Sequence, residues 1–328
     1  LQDGYPTLEG LRIGHASDYE GITGCTVIIA EDGMVAGVDV RGGASGTIEL
    51  GVLDPMHLTP RAHAIVLSGG SAFGLEASCG VRRALEAAGI GFPIRNMRVP
   101  IVAGAILFDL GIGSSSARPG REMGEAATAA AFATQATDAV LEGSVGAGTG
   151  ATVGKVNGAS LAMKGGLGHG VVELGGRFRG VRVEAIVAVN AFGDVLDKSG
   201  KVLAGARKPG TKLDFEDTAR KLLQGGVPGN PVGENTTIGA VMTNAPLSKV
   251  EATKIAQMAQ AGLLRRISPA HTTVDGDTLF CASTGRGPGA DINALGIAAA
   301  EAVSEAIERA VRLAWKLGGV PALQDFSA

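Results

Sequence analysis

The feature of this 328-residue sequence richest in chemistry is a threonine that opens an apolar strand directly behind a loop of glycines and prolines. The loop runs Asn230-Pro231-Val232-Gly233-Glu234-Asn235, and Thr236-Thr237-Ile238 begins the strand. If the Thr236 hydroxyl faces the carbonyl before it, it can attack that carbonyl. An N→O acyl shift then gives an ester, and water cleaves the ester. The new chain starts at Thr236 with a free α-amine, whose reference pKa is about 7.7–8.0. That amine can take the proton of its own hydroxyl, so one residue carries both nucleophile and base. The plain alternative is an Asn-Thr pair that only initiates a strand.

Three further features could serve such a nucleophile. Asp275 and Asp277 flank Gly276. At i, i+2 in an extended segment they share a face, where like charges repel. They could orient the Thr236 amine or a substrate ammonium, or simply form a turn around Gly276. Asn190 interrupts the apolar run 185–192. An amide there needs a partner, as a structural hydrogen bond or as a donor to an oxyanion. Lys155 ends the glycine-rich stretch 146–155. It reads either as a solvated loop lysine or as a cation beside the nucleophile.

Other motifs fail on spacing. A phosphate loop needs G-x4-G-K-[ST], but Thr149 stands five before Gly154 and Val156 follows Lys155. The dinucleotide pattern meets Ala151 or Val153 in its third glycine slot. The 69–74 stretch is not a nucleophile elbow, since Phe73 takes the last glycine slot. The histidines His15, His57, His63, His169 and His271 include no i, i+4 pair and no HExxH. No metal and no cofactor is expected.

The elements that must position these residues follow from periodicity. Residues 22–31 and 38–43 are β-rich, and 63–70 is a third strand. Residues 73–89 read as a helix, with Leu75, Val81, Leu85 and Ala88 near helical spacing and Gly89 as its stop. A strand-like run at 99–111 and an Ala-rich helix at 121–134 follow. Strands are predicted at 168–174 and 181–197, the latter turning at Gly193-Asp194. Residues 224–235 hold four Gly, two Pro and two Asn, too many turn formers for a periodic element. Beyond the Thr236 strand, Ser248 and Glu251 form a capping-box pattern ahead of a helix carrying Val250, Ile255, Met258 and Leu263. Residues 267–284 read as a hairpin or extended pair, and Asp291 caps a last helix over 292–316. This mixture, without strict β-α alternation, predicts an α+β layered sandwich rather than a Rossmann or TIM fold.

Composition narrows the function. Hydrophobic residues at 45% and a net charge of −3 exclude a disordered chain. With 4% aromatics and no basic surface, nucleic acid is not an expected partner. Cys25, Cys79 and Cys281 are widely spaced and read as reduced core residues. No run approaches the ~20 apolar residues of a membrane span. The first residues lack an apolar signal core, so a cytoplasmic location is expected.

Six ordered blocks now bear on the whole chain: residues 40–49, 63–77, 145–155, 163–168, 235–247 and 271–285. Together they resemble the DmpA-type peptidase family of N-terminal-nucleophile hydrolases. That family includes L-aminopeptidase/D-esterases, β-aminopeptidases and 6-aminohexanoate-oligomer (nylon) hydrolases. The resemblance implies a four-layer αββα sandwich. It also implies one hydrolase domain over 1–328, self-cleaved into an α chain, 1–235, and a β chain, 236–328. Thr236 falls at the nucleophile, Asn190 at the oxyanion position and Lys155 in the family's Gly-Lys motif. Asp275 and Asp277 match an acidic pair of the nylon-oligomer branch. Phe73 stands at a substrate-facing position where some members have Tyr, and it lacks that hydroxyl. The implied substrate is a short peptide or an amino-acid oligomer, and the implied assembly is a homo-oligomer, tetrameric or larger. Two alternatives accompany this reading: an endo-acting 6-aminohexanoate-oligomer hydrolase, and an acyltransferase of the ornithine-acetyltransferase type. An uncleaved, non-catalytic assembly protein is the reading outside that architecture.

Overall fold

The computed structural model describes residues 4–211, 213–226 and 235–326. Residues 227–234, most of the expected loop ahead of Thr236, lie outside the described residues. In chain order the strands of the main sheets are β1 (Arg12–Asp18), β2 (Thr23–Val40), β3 (Gly46–Ile48), β4 (Ala62–Ser68), β5 (Val102–Ile106), β6 (Gly166–Glu173), β7 (Arg182–Asn190), β8 (Thr236–Thr243) and β9 (Thr278–Ser283). The longer helices are α1 (Ala77–Ala87), α2 (Arg121–Ala133), α3 (Lys249–Leu264) and α4 (Ile292–Leu313).

Two sheets share β2. Its first half pairs with β1 and β4, and Val35 to Val40 pair with β9. The register shifts between Ile29 and Met34, where Glu31 and Asp32 are exposed and the strand passes from one sheet to the other. One sheet then runs β6-β7-β8-β9-β2, with β8 and β9 parallel and the other neighbours antiparallel. The second runs β2-β4-β5-β3 with β1 on the open side of β2.

Period-2 burial produces the layers. Along β7, Val183, Ala185, Val187 and Val189 pack with residues of α3 and α4, such as Ala256, Leu263, Val303 and Ala306. The alternate residues Ile186 and Ala188 face inward, where they meet Ile65, Leu67 and Ala103 of the second sheet. A third cluster joins Val27, Ile29 and Val66 to Val81 and Leu85 of α1 and Ala127 of α2. The order is helices, sheet, sheet, helices, the αββα sandwich. α4 lies close on β6 because Gly166, Gly168 and Gly170 carry no side chain there. A Cβ at Gly168 would stand 1.9 Å from Ala306 O.

The structure moves several predicted boundaries. The runs at 22–31 and 38–43 are one strand, because the polar residues between them mark a bend rather than a break. The helix at 73–89 begins as a 3-10 turn over Ser71–Glu76 and becomes α-helical only at Ala77. The run at 99–111 contributes a shorter strand, β5, preceded by the small hairpin Phe92–Ile94 and Met97–Val99. The 181–197 strand divides. β7 stops at Asn190, and Asp194–Leu196 joins a separate three-stranded sheet with Val202–Ala204 and Ile267–Ser268. Residues 267–284 are therefore not a hairpin: Ile267–Ser268 goes to that small sheet and β9 pairs in parallel with β8. The Ser248–Glu251 capping box forms as predicted. Cys25 and Cys281 are buried and unbridged, and burial pushes both thiols up to about 12. Among the described residues no helix is long and apolar enough to cross a membrane.

Candidate active site

Strand ends converge at Thr236. It is the first residue of β8 and is 2% exposed. Directly opposite it in the antiparallel β7/β8 pair stands Asn190, the last residue of β7. On the other side of β8, the segment entering β9 carries Asp275 and Asp277, and Asn235 forms a parallel bridge with Asp275. Three chain segments far apart in sequence thus meet at one peptide bond.

That bond joins Asn235 to Thr236. The Thr236 hydroxyl donates to the Asn235 carbonyl oxygen, so the alcohol lies against the carbonyl of its own preceding peptide. The same oxygen accepts the Gly276 N–H at 2.9 Å. A carbonyl that accepts a fixed N–H is polarised toward the charge an attacking oxygen would create. Gly276 comes this close because it lacks a side chain: a Cβ would lie 2.6 Å from Thr236 Oγ1.

The acidic pair is buried. Asp277 Oδ1 accepts the Thr237 N–H at 2.8 Å. Its Oδ2 accepts the His271 backbone N–H at 2.9 Å and lies 3.0 Å from His271 Nδ1. Asp275 accepts from Phe192 N at 3.2 Å, from Thr272 N at 3.3 Å and from the Thr272 hydroxyl. Burial first, and then the charge of Asp277, pushes the Asp275 carboxyl up to about 6. Residues 41–44 brace this turn from behind, with Arg41 N on Asp277 O at 2.9 Å and Ala44 N on Asp275 O at 2.8 Å.

Lys155 is brought to Asn190 rather than left in solvent. Its Nζ donates to Asn190 Oδ1 at 2.9 Å and to Asn190 O at 3.1 Å. Thr152 N adds a third bond to Oδ1 at 3.0 Å, and Asn190 Nδ2 donates to Phe108 O at 2.9 Å. These partners decide which end of the amide is oxygen and which is nitrogen. Phe73 is placed differently. It is 54% exposed in the 3-10 turn after β4, and the Arg118 guanidinium lies 3.5 Å over its ring.

Sequence reasoning did not single out His271, Thr272, Gly276, Lys164 or Asp109. The first three sit within or beside the 271–285 block. They acquire roles only because that segment folds back on Asp275 and Asp277. Among the described residues no group of His, Cys, Asp and Glu could hold a metal ion.

The profile described as Peptidase family S58 matches residues 7–323. The chain belongs to peptidase family S58. It is a hydrolase of peptide or amide bonds with the DmpA-type, N-terminal-nucleophile-like fold. An uncharacterized aminopeptidase of Mycobacterium tuberculosis (strain H37Rv) is 36% identical, over 96% of this chain and 95% of that protein. A 6-aminohexanoate-oligomer endohydrolase of Agromyces sp. is 33% identical, over 84% of this chain and 73% of its own. Among solved structures, a β-aminopeptidase of Burkholderia sp. superposes with a TM-score of 0.67 at 25% identity, covering 99% of this chain and 95% of its own. The L-aminopeptidase D-Ala-esterase/amidase of Ochrobactrum anthropi does so at 0.66 and 19% identity, over 96% and 87%, and supports the fold.

Proposed function

We propose that this S58 hydrolase processes itself between Asn235 and Thr236 and then works as an N-terminal-threonine amidase. The hydrogen bond from the Thr236 hydroxyl to the Asn235 carbonyl carries this reading. Thr236 Oγ1 attacks the Asn235 carbonyl carbon, and Gly276 N–H supports the oxygen as it gains charge. The C–N bond breaks, the nitrogen takes the hydroxyl proton, and Asn235 becomes an ester on Thr236. Water hydrolyses the ester. This restores the hydroxyl and leaves a carboxylate on Asn235, the Thr236 amine having been freed in the acyl shift.

In the cleaved enzyme the amine accepts the proton of its own hydroxyl as Oγ1 attacks a substrate amide. The Asn190 amide supports the acyl oxygen, and Lys155 holds that amide in place. The leaving amine takes the proton, and water releases the acyl group from Thr236. Asp277, through Thr237 N, fixes the backbone one residue beyond the nucleophile. Asp275 and its partner brace the turn that delivers Gly276.

We take the substrate to be a short peptide cleaved at its N-terminal residue. The Mycobacterium tuberculosis relative named as an aminopeptidase matches nearly end to end, whereas the Agromyces oligomer endohydrolase matches over 73% of its length. The working form in this reading is an oligomer of αβ units, which light scattering measures. The test of function is a panel of L-aminoacyl p-nitroanilides, β-peptides and 6-aminohexanoate oligomers, with mass spectrometry of quenched turnover. An acyl adduct on the first residue of the 236–328 chain supports the reading. Turnover with acyl groups found elsewhere overturns it.

A further inference from the structure

Two buried ionisable residues lie behind the site and take no part in the reaction described above. Lys164 is fully buried, and its Nζ donates to Thr149 O at 2.7 Å and to Ala151 O at 2.8 Å. In the short ladder beside β7 its partner is Thr152. Thr152 N–H is one of the donors that hold Asn190 Oδ1. Lys164 therefore fixes the carbonyls immediately ahead of a residue that grips the Asn190 oxygen.

Asp109 does the corresponding work at the nitrogen end. It is 3% exposed and accepts from Thr23 Oγ1 and Gly70 N, each at 2.7 Å. The residue before it is Phe108, whose carbonyl accepts Asn190 Nδ2. The two side chains also sense each other. Burial lowers Lys164 to about 7, the negative charge of Asp109 opposes that fall and Lys155 adds to it. Burial raises Asp109 above the usual carboxylate range, against its hydrogen bonds from Thr23 and Gly70 and the charge of Lys164.

We propose that Lys164 and Asp109 are positioning residues for Asn190: each anchors the backbone segment that holds one end of its amide. This rests on the reading of Asn190 as the oxyanion donor and says what keeps that donor aimed. Neither residue touches the reacting atoms. A misplacement of the amide by about 1 Å is enough to lose about 10²-fold in rate.

The test is a pair of double-mutant cycles on the cleaved enzyme, Lys164→Met and Asp109→Asn each combined with Asn190→Ala. Each single variant is expected to lower kcat by about 10- to 100-fold with KM within about twofold, the pattern of an interaction made in the transition state. In the Asn190→Ala background the same substitutions are expected to cost less than about threefold, since the amide they position is gone. A role limited to general stability would lower kcat by the same factor in both backgrounds, and that result overturns the proposal. Asp109→Asn, nearly isosteric, carries the test if Lys164→Met does not fold, and wild-type kcat in Asp109→Asn also overturns it. If Asn190→Ala alone keeps wild-type kcat, the oxyanion reading fails first, and the positioning role with it.

Discussion

Asn190 and Thr236 face each other across an antiparallel pair, one closing its strand and the other opening the next. The register that sets them opposite also buries Ile186 and Ala188 on one face and Val187 and Val189 on the other. A one-residue slip would exchange the two sets between differently packed faces, so the core itself keeps the amide beside the nucleophile.

Lys155 is the first consequence. Its Nζ lies 2.9 Å from Asn190 Oδ1. Lys155→Met should leave the fold intact and lower kcat by about 10²-fold, the scale of losing an oxyanion contact. Lys155→Arg should not rescue it, because a planar fork cannot reproduce the point contacts of an ammonium. Steady-state kinetics on cleaved protein measures both.

Gly276 should be intolerant of even a methyl group. A Cβ there would stand 2.6 Å from Thr236 Oγ1 and 2.8 Å from Ala44 O. Gly276→Ala should therefore slow self-cleavage by at least about tenfold, in line with the displacement such a contact forces. The intact chain accumulating on denaturing gels is the readout.

Asp275 makes stability depend on pH. Its carboxyl is raised to about 6 by burial and by the charge of Asp277. In the unfolded chain it ionises near 3.9. Between those values the folded state binds the extra proton, so its contribution is full below the unfolded pKa. The contribution is lost as pH rises through about 6. One pH unit is about 1.4 kcal/mol, so the window carries on the order of 2–3 kcal/mol. Melting curves of wild type and Asp275→Asn between pH 4 and 7, read at about half-unit steps, should converge near pH 4 and separate near pH 7, with wild type the less stable there.

His271 braces Asp277, and its Nε2 is buried without a partner among the described residues. His271→Ala should destabilise the protein by about 1.5–3 kcal/mol, the scale of a lost hydrogen bond to a charged group. Urea unfolding of the cleaved protein measures it.

How much of this is legible in the sequence depends on how local each signal is. The Ser248–Glu251 cap is readable because both partners lie within one turn. The strand at Thr236 is readable because a dense run of turn formers gives way to uninterrupted apolar residues. The sharing of β2 between two sheets is not, since Glu31 and Asp32 look like a loop whether the chain stops or only bends there. The parallel β8/β9 pairing is likewise hidden, because it is set by packing on α3 rather than by any turn between the strands. Lys164 is hidden too, because the carbonyls that make its burial tolerable belong to another segment.

In this reading Thr236 itself breaks the peptide bond ahead of it. Denaturing mass spectrometry of purified protein, with Thr236→Ala and Thr236→Ser in parallel, tests it most directly. Wild type should give two chains, 1–235 and 236–328, with Thr236→Ser partly split and Thr236→Ala intact and inactive. A fully active wild-type protein that remains one 328-residue chain would contradict the account.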